Sequence, residues 1–200
     1  MTYVVFDVGN VLIQWDARRV YRDDFATDAE IDAFLTEISF GPWNLEQDRG
    51  RTWAEAVEVK VAEFPQHEAL IRKFKTNWHD AVPGEIPEGV AALEAVRATG
   101  APIYGITNFS AEKWTECQTR FAFLNHFDDV VVSAHERLIK PDPAIFERFL
   151  QRSGLSADDC LFIDDSAANI ATARSLGFDT IHMTDPHCLM GKLRVRGVVT

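Results

Sequence analysis

The 200-residue sequence is poor in cysteine, short of positive charge and without long apolar runs. Its three cysteines, Cys117, Cys160 and Cys188, are odd in number and far apart, with no pair at the CxxC spacing of zinc or redox sites, and read as reduced packing residues. Lys and Arg number 20 against 31 Asp and Glu, a formal charge of −11. Such a balance repels phosphate backbones, so nucleic acid is not an expected partner. The N-terminal run Met1-Thr2-Tyr3-Val4-Val5-Phe6-Asp7 has no basic segment and no extended apolar stretch. It resembles neither a signal peptide nor a membrane anchor, which points to a cytoplasmic location and no membrane partner. No internal repeat or low-complexity tract interrupts the chain. What is present is 46% apolar and 26% charged residues, enough for one substantial core, or for a core domain with an insert.

Short apolar runs recur at Tyr3 to Phe6, Pro102 to Ile106, Val130 to Val132, Leu161 to Ile163 and Thr180 to Met183. Each reads as a buried strand. Helical spacing lies between the later ones: Val90, Leu93, Val96 before Gly100; Ile145, Phe149, Leu150 before Gly154; Ile170, Ala173, Leu176 before Gly177. The alternation predicts an α/β fold, a three-layer Rossmann-like core around a parallel sheet, with ligands at the carboxyl ends of the strands. From about Ala17 to Pro83 no strand run occurs, while Ile31, Phe34, Leu35, Ile38 and Trp53, Val57, Val61, Phe64 fall at helical spacing. Residues 16–83 are therefore expected to form a small all-helical insert, and residues 1–15 and 84–200 the core domain.

The strand ends carry the chemistry. Asp7 follows the first run, and Gly9 after it lets the backbone approach a ligand. Thr107 and Asn108 follow the second run, offering a hydroxyl and an amide to an anion, with Ser110 at a helix start. Lys140 sits in Lys140-Pro141-Asp142-Pro143, stiffened by two prolines. Asp164, Asp165 and, one turn later, Asn169 follow the fourth strand run. Adjacent buried acids repel unless something positive lies between them, and an oxygen-rich site of this kind suits Mg²⁺.

In this order and context, Phe6-Asp7-Val8-Gly9-Asn10-Val11-Leu12, Ile106-Thr107-Asn108, Lys140-Pro141-Asp142-Pro143 and Asp164-Asp165-Ser166-Ala167-Ala168-Asn169 resemble the four signatures of the haloacid dehalogenase superfamily. The resemblance covers nearly the whole chain, the helical insert standing where that family carries its cap. Within the superfamily, Asp7-Val8-Gly9-Asn10-Val11 followed by Asp48-Arg49-Gly50 is most similar to the glucose-1-phosphatase type. The resemblance implies a Mg²⁺-dependent phosphohydrolase, a monomer or homodimer, acting on a small phosphate ester such as a sugar phosphate. Asp7 would be the nucleophile and form an aspartyl-phosphate. Asp7, the Gly9 carbonyl and Asp165 would hold the metal, supported by Asp164 and Asn169. Thr107, the Asn108 backbone and Lys140 would bind the phosphoryl group, and Arg49 the polar end of the substrate.

One position departs from the family pattern: a second aspartate two residues after the nucleophile, which moves protons, is replaced by Gly9. Such help is worth roughly a hundred- to ten-thousand-fold in rate. Either an acidic leaving alcohol such as a sugar anomeric oxygen, or a nearby acid (Asp16, Asp48 or His79), would compensate. Trp15, Trp43 and Phe40 either wall a pocket or pack the insert onto the core. A metal-independent 2-haloacid dehalogenase is the nearest alternative, since it also lacks the second aspartate. A non-catalytic binding protein is a second alternative.

Overall fold

In the computed structural model, which describes residues 2–200, each of the five apolar runs becomes a strand, with ends shifted by one residue at most. They are β1 (Tyr3–Phe6), β2 (Ile103–Thr107), β3 (Asp129–Val132), β4 (Cys160–Asp164) and β5 (Asp179–His182). All neighbours pair in parallel, in the order β3-β2-β1-β4-β5. The chain builds outward from β1 to β3 on one side, then returns to the other side for β4 and β5. The reversal opens a crevice at the carboxyl ends of β1, β2 and β4.

Between β1 and β2 lie α1 (Asp28–Glu37), α2 (Phe40–Asp48), α3 (Trp53–Glu63), α4 (Glu68–Thr76) and α5 (Pro87–Ala98). After β2 come α6 (Ala111–Arg120), the single turn α7 (Ser133–Glu136), α8 (Pro143–Ser153), α9 (Ala167–Ser175) and α10 (Leu189–Val195). No described helix is long and apolar enough to cross a membrane. Strand alternation sorts the core into two layers. Val4, Phe6, Leu161 and Ile163 face the cluster that holds Leu93 of α5 and Leu193 of α10, while Val5 and Phe162 face Phe146 and Phe149 of α8 with Ile170 of α9. The sheet is thus buried on both sides, and its strands read as continuous apolar runs.

The helical insert does not keep a core of its own. Ile31, Phe34, Trp43, Trp53 and Phe74 belong to the same apolar cluster as Val8, Leu12 and Phe6. Phe74 lies at its centre, its ring 4.8 Å from Phe40, 5.6 Å from Trp53 and 6.0 Å from Trp43. Phe40 and Trp43 therefore pack the insert, and neither lines the cavity at the carboxyl ends of the strands. Behind the insert, α5 crosses the loop after β1 so closely that a Cβ at Gly89 would stand 1.9 Å from the Val11 carbonyl oxygen. Only glycine is compatible with that approach.

Cys117 and Cys160 are buried, as expected of packing residues, and burial pushes both thiols up to about 12. Cys188 is exposed, its thiol donating to Asp185 Oδ2 at 3.2 Å. It stands in a 3-10 turn and, being exposed, is not the packing residue expected from the sequence.

The segment that leads from β3 to α8 is tied down by charge. Glu136, whose side chain is 12% exposed, receives Arg148 Nε and Arg152 Nη1, each at 2.6 Å. Arg152 also pairs with Asp129 at the start of β3. The Arg148 hydrogen bond, opposed by partial burial and joined by Arg152, holds the Glu136 carboxyl below its usual range. Its contribution is complete above the ordinary carboxylate range and is lost as pH falls through it. Glu136→Gln should lower unfolding stability at pH 7 by about 1 to 2 kcal/mol in urea titrations, with a smaller difference at pH 3. An equal difference at both pH values would contradict this network.

Candidate active site

The first turn beyond β1 sets the geometry. The Asp7 backbone N–H donates to Ile163 O on β4 at 2.8 Å, and its Oδ1 accepts from Val8 N–H at 2.7 Å. Asn10 then takes the left-handed region (φ 52°), a conformation asparagine tolerates, and its Oδ1 accepts from Trp15 N–H at 3.0 Å. Gly9 lies outside that region, and a Cβ there would meet nothing within 4 Å. Neither strain nor space demands a glycine at this position.

Lys140 is the hub. Its Nζ lies 2.8 Å from Asp7 Oδ2 and 2.7 Å from Asp164 Oδ2, and donates to Ile106 O at 3.0 Å, so each of its three donors has an acceptor. The residue is 3% exposed. Burial alone would lower the ammonium, but Asp7 and Asp164 together hold it above its usual range. Asn108 clamps the lysine backbone, accepting from Lys140 N–H at 2.8 Å and donating to Lys140 O at 3.0 Å. The Asn108 side chain is thereby committed to the loop, and only its backbone is left for an anion. The backbone is also the part of Asn108 that the family resemblance assigns to the phosphoryl group.

Asp164 is wholly buried and saturated. Ser166 N–H donates to its Oδ1 at 2.7 Å, Asn169 Nδ2 reaches both oxygens at 3.0 Å, and Lys140 takes Oδ2. Asp164 and Asn169 therefore hold the lysine in place. Asp165 is half-buried and opens toward the crevice, its backbone carbonyl accepting from His182 Nε2 at 2.9 Å. Burial raises its carboxyl, as does Asp164, against Asn10 and Lys140. Burial likewise raises Asp7, with Lys140 lowering it and Asp164 raising it further.

Oxygens of Asp7, Asp164 and Asp165 all lie within 4.8 Å of one another. Three carboxylates against one ammonium leave two uncompensated negative charges in a place mostly closed to water, and the donors are all hard oxygens. A divalent cation of the Mg²⁺ kind fits that deficit. Beside it, the Thr107 Oγ1 at the end of β2 is buried with no hydrogen-bond partner among the described residues. A buried hydroxyl left unsatisfied is rare and marks a place for a missing acceptor.

Over this edge opens a cavity of about 210 Å³. Its floor is Asp7, Gly9, Asn10 and Asp165; its walls are Trp15, Trp53, Trp78 and Phe109; Asn44 and Asp48 reach it from α2. Trp15 is a wall residue, as one of its two sequence readings has it. Arg49 is not brought to the site: it is exposed, pairs with Glu46 at 2.8 Å and does not line the cavity. One residue along a helix turns a side chain by about 100°, and here it is Asp48 that faces inward. Asp16 caps a 3-10 turn and pairs with Arg18 and Arg22. His79 pairs with Glu116 at 2.8 Å. Neither lines the cavity. Ser110 starts α6 without capping it, because its Oγ accepts from Trp53 Nε1 at 3.0 Å. Trp53 was legible in the sequence only as an apolar position at helical spacing and Trp78 was not singled out at all, since nothing local distinguishes a wall residue from a packing one.

Residues 45–183 match the family of haloacid dehalogenase-like hydrolases. The chain is 26% identical to mouse acyl-CoA dehydrogenase family member 10 over 95% of its own length and 18% of that protein's. It is 30% identical to the drimenol cyclase of Aspergillus calidoustus over 89% of its length and 33% of the cyclase. To the 6-phosphogluconate phosphatase of Escherichia coli it is 27% identical over 52% of its length and 47% of the phosphatase. The chain thus spans less than half the length of each of these relatives. Among solved structures, a HAD family enzyme of Bacteroides thetaiotaomicron, in complex with magnesium and inorganic phosphate, superposes with a TM-score of 0.70 at 21% identity. That match covers 90% of this chain and 93% of the other. A dehalogenase caught with an intermediate superposes at 0.72 and 16% identity, over 98% of this chain and 96% of that one. At these identities the two structures share the fold.

The hub has a measurable consequence. Lys140→Met would leave Asp7 and Asp164 buried and unpaired, and should cost about 3 to 5 kcal/mol of unfolding free energy in urea at neutral pH without added metal. A loss below about 1 kcal/mol would show that the ammonium does not hold these acids.

Proposed function

The chain belongs to the haloacid dehalogenase-like hydrolases, and on that premise we propose that it is a Mg²⁺-dependent phosphomonoesterase that forms an aspartyl-phosphate on Asp7. The observation that carries this reading is the uncompensated charge of Asp7, Asp164 and Asp165 around Lys140. Cleavage of a carbon–halogen bond by Asp7 would need no cation, and so no acidic pair at the end of β4. Asp7, Asp165 and the Gly9 carbonyl would hold the metal, which supplies charge neutralisation so that a carboxylate can approach a phosphate dianion. Asp7 attacks phosphorus. The Thr107 hydroxyl and the Asn108 backbone N–H meet the equatorial oxygens, whose charge gains most from fixed donors, and Lys140, its three donors shared among Asp7, Asp164 and Ile106 O, adds its positive charge from behind Asp7. The unpartnered Thr107 Oγ1 supports that assignment.

The substrate reading follows from the walls. The charged residues lining the cavity are Asp7, Asp48 and Asp165, all acidic. A leaving group with a second anionic group is disfavoured there. Aromatic faces with Asn44 alongside suit a small neutral polyol, which makes a sugar monophosphate the preferred class. Residues 16–83 act as the cap that closes over it.

A metal-dependent screen tests this. Phosphate release from neutral sugar monophosphates should vanish with chelator, return with Mg²⁺, and fall by at least about a thousand-fold in Asp7→Asn. Phosphosugars with an added carboxylate should be poorer substrates. Chelator-resistant chloride release from 2-chloropropionate would replace this reading with the dehalogenase one.

A further inference from the structure

Gly9 leaves the loop after β1 with no side chain to carry a proton, yet an alkoxide leaving group needs one. Three titratable groups line the cavity, and Asp7 and Asp165 already serve the phosphoryl side. The third, Asp48, enters from α2 on the opposite wall. It is held there by the core: Ser110 N–H donates to its carboxylate, Asn44 Nδ2 lies 3.3 Å from Oδ2, and its backbone carbonyl accepts from Ser133 Oγ at 2.6 Å. Trp53, just beyond it in the chain, ties the same junction to α6, its Nε1 donating to Ser110 Oγ at 3.0 Å and its backbone N–H to Glu112 at 2.9 Å. Asp16 and His79, the other two candidates named from the sequence, are engaged outside the cavity.

We propose that Asp48 is the proton carrier of the reaction, a catalytic residue contributed by the cap in place of the side chain missing at Gly9. This rests on the phosphatase reading above. In the first step the Asp7 oxygen forms a bond to phosphorus, the bond from phosphorus to the leaving oxygen breaks with its electron pair, and that oxygen takes the Asp48 proton to depart as an alcohol. In the second, a water oxygen bonds to phosphorus, the Asp7–phosphorus bond breaks, and the water's proton returns to Asp48. Burial suits the group to both roles, pushing its carboxyl up to about 7 against the Ser110 hydrogen bond. The charged groups around it are Asp7 and Asp165 across the cavity, with Lys140 behind Asp7, Glu112 on α6, and the Glu46–Arg49 pair on its own helix.

The role is separable from mere packing by leaving-group chemistry. In Asp48→Asn, kcat/KM for an alkyl phosphate should fall by about a hundred-fold or more, while p-nitrophenyl phosphate, whose phenolate departs unprotonated, should lose only a few-fold. Adding Gly9→Asp, for which there is room, should recover alkyl phosphate turnover. Equal losses on both esters, or no loss on either, overturn the role of Asp48 while leaving the phosphatase reading intact. If Asp48→Asn does not fold, Asp48→Glu is read on the same pair of substrates: loss confined to the alkyl ester supports the role, and equal loss contradicts it. Wild-type protein without metal-dependent phosphate release from either ester overturns the underlying reading and this role with it.

Discussion

A single buried ammonium, Lys140 between Asp7 and Asp164, is the constraint around which the rest is arranged. Charges so closed to water survive only when paired and hydrogen-bonded. Each neighbouring feature serves that end. Asn108 holds the lysine backbone from β2, Asn169 and Ser166 fill the remaining lone pairs of Asp164, and the Glu136 network fixes the approach from β3. Three strand ends and two loops are thereby locked to one point at the sheet's switch, where the parallel topology already directs the backbone.

Local neutrality is not reached by the protein alone. One ammonium faces three carboxylates, and the deficit lies on the side of Asp165, toward the cavity. The chain carries a formal charge of −11, so an anionic substrate is not drawn in by its net charge. It has to be met by a local positive centre, and the charge deficit defines where that centre belongs. The two halves of the site then divide the labour: the core grips the group being transferred, and the insert supplies aromatic walls and Asp48 for what leaves.

Much of this was legible in the sequence because a parallel sheet converts strand order into spatial convergence. Once the five apolar runs are strands, Asp7, Thr107, Lys140 and Asp164 must share an edge, whatever the details of packing. Where a side chain points within a helix or loop is another matter. Arg49 and Asp48 are adjacent in sequence, and only the docking of α2 decides which faces the cavity. The Asn108 side chain and the Ser110 hydroxyl carry no local sign of their partners: one is engaged by Lys140 and the other by Trp53, 32 and 57 residues away. Cys188 ends a 3-10 turn whose exposure no local pattern announces. Gly9 illustrates the opposite: its chemistry was plain from the motif, while the open space above it required coordinates.

The charge deficit beside Asp165 is best tested by Mg²⁺ titration of thermal and urea unfolding, wild type against Asp165→Asn. A cation bound only by the folded protein stabilises it in proportion to the logarithm of its concentration, reaching about 2.7 kcal/mol at a hundred times the dissociation constant. The wild-type midpoint should climb accordingly, and the variant's should respond far less. A wild-type midpoint indifferent to Mg²⁺, or an equal climb in Asp165→Asn, would contradict the metal-centred reading of the site.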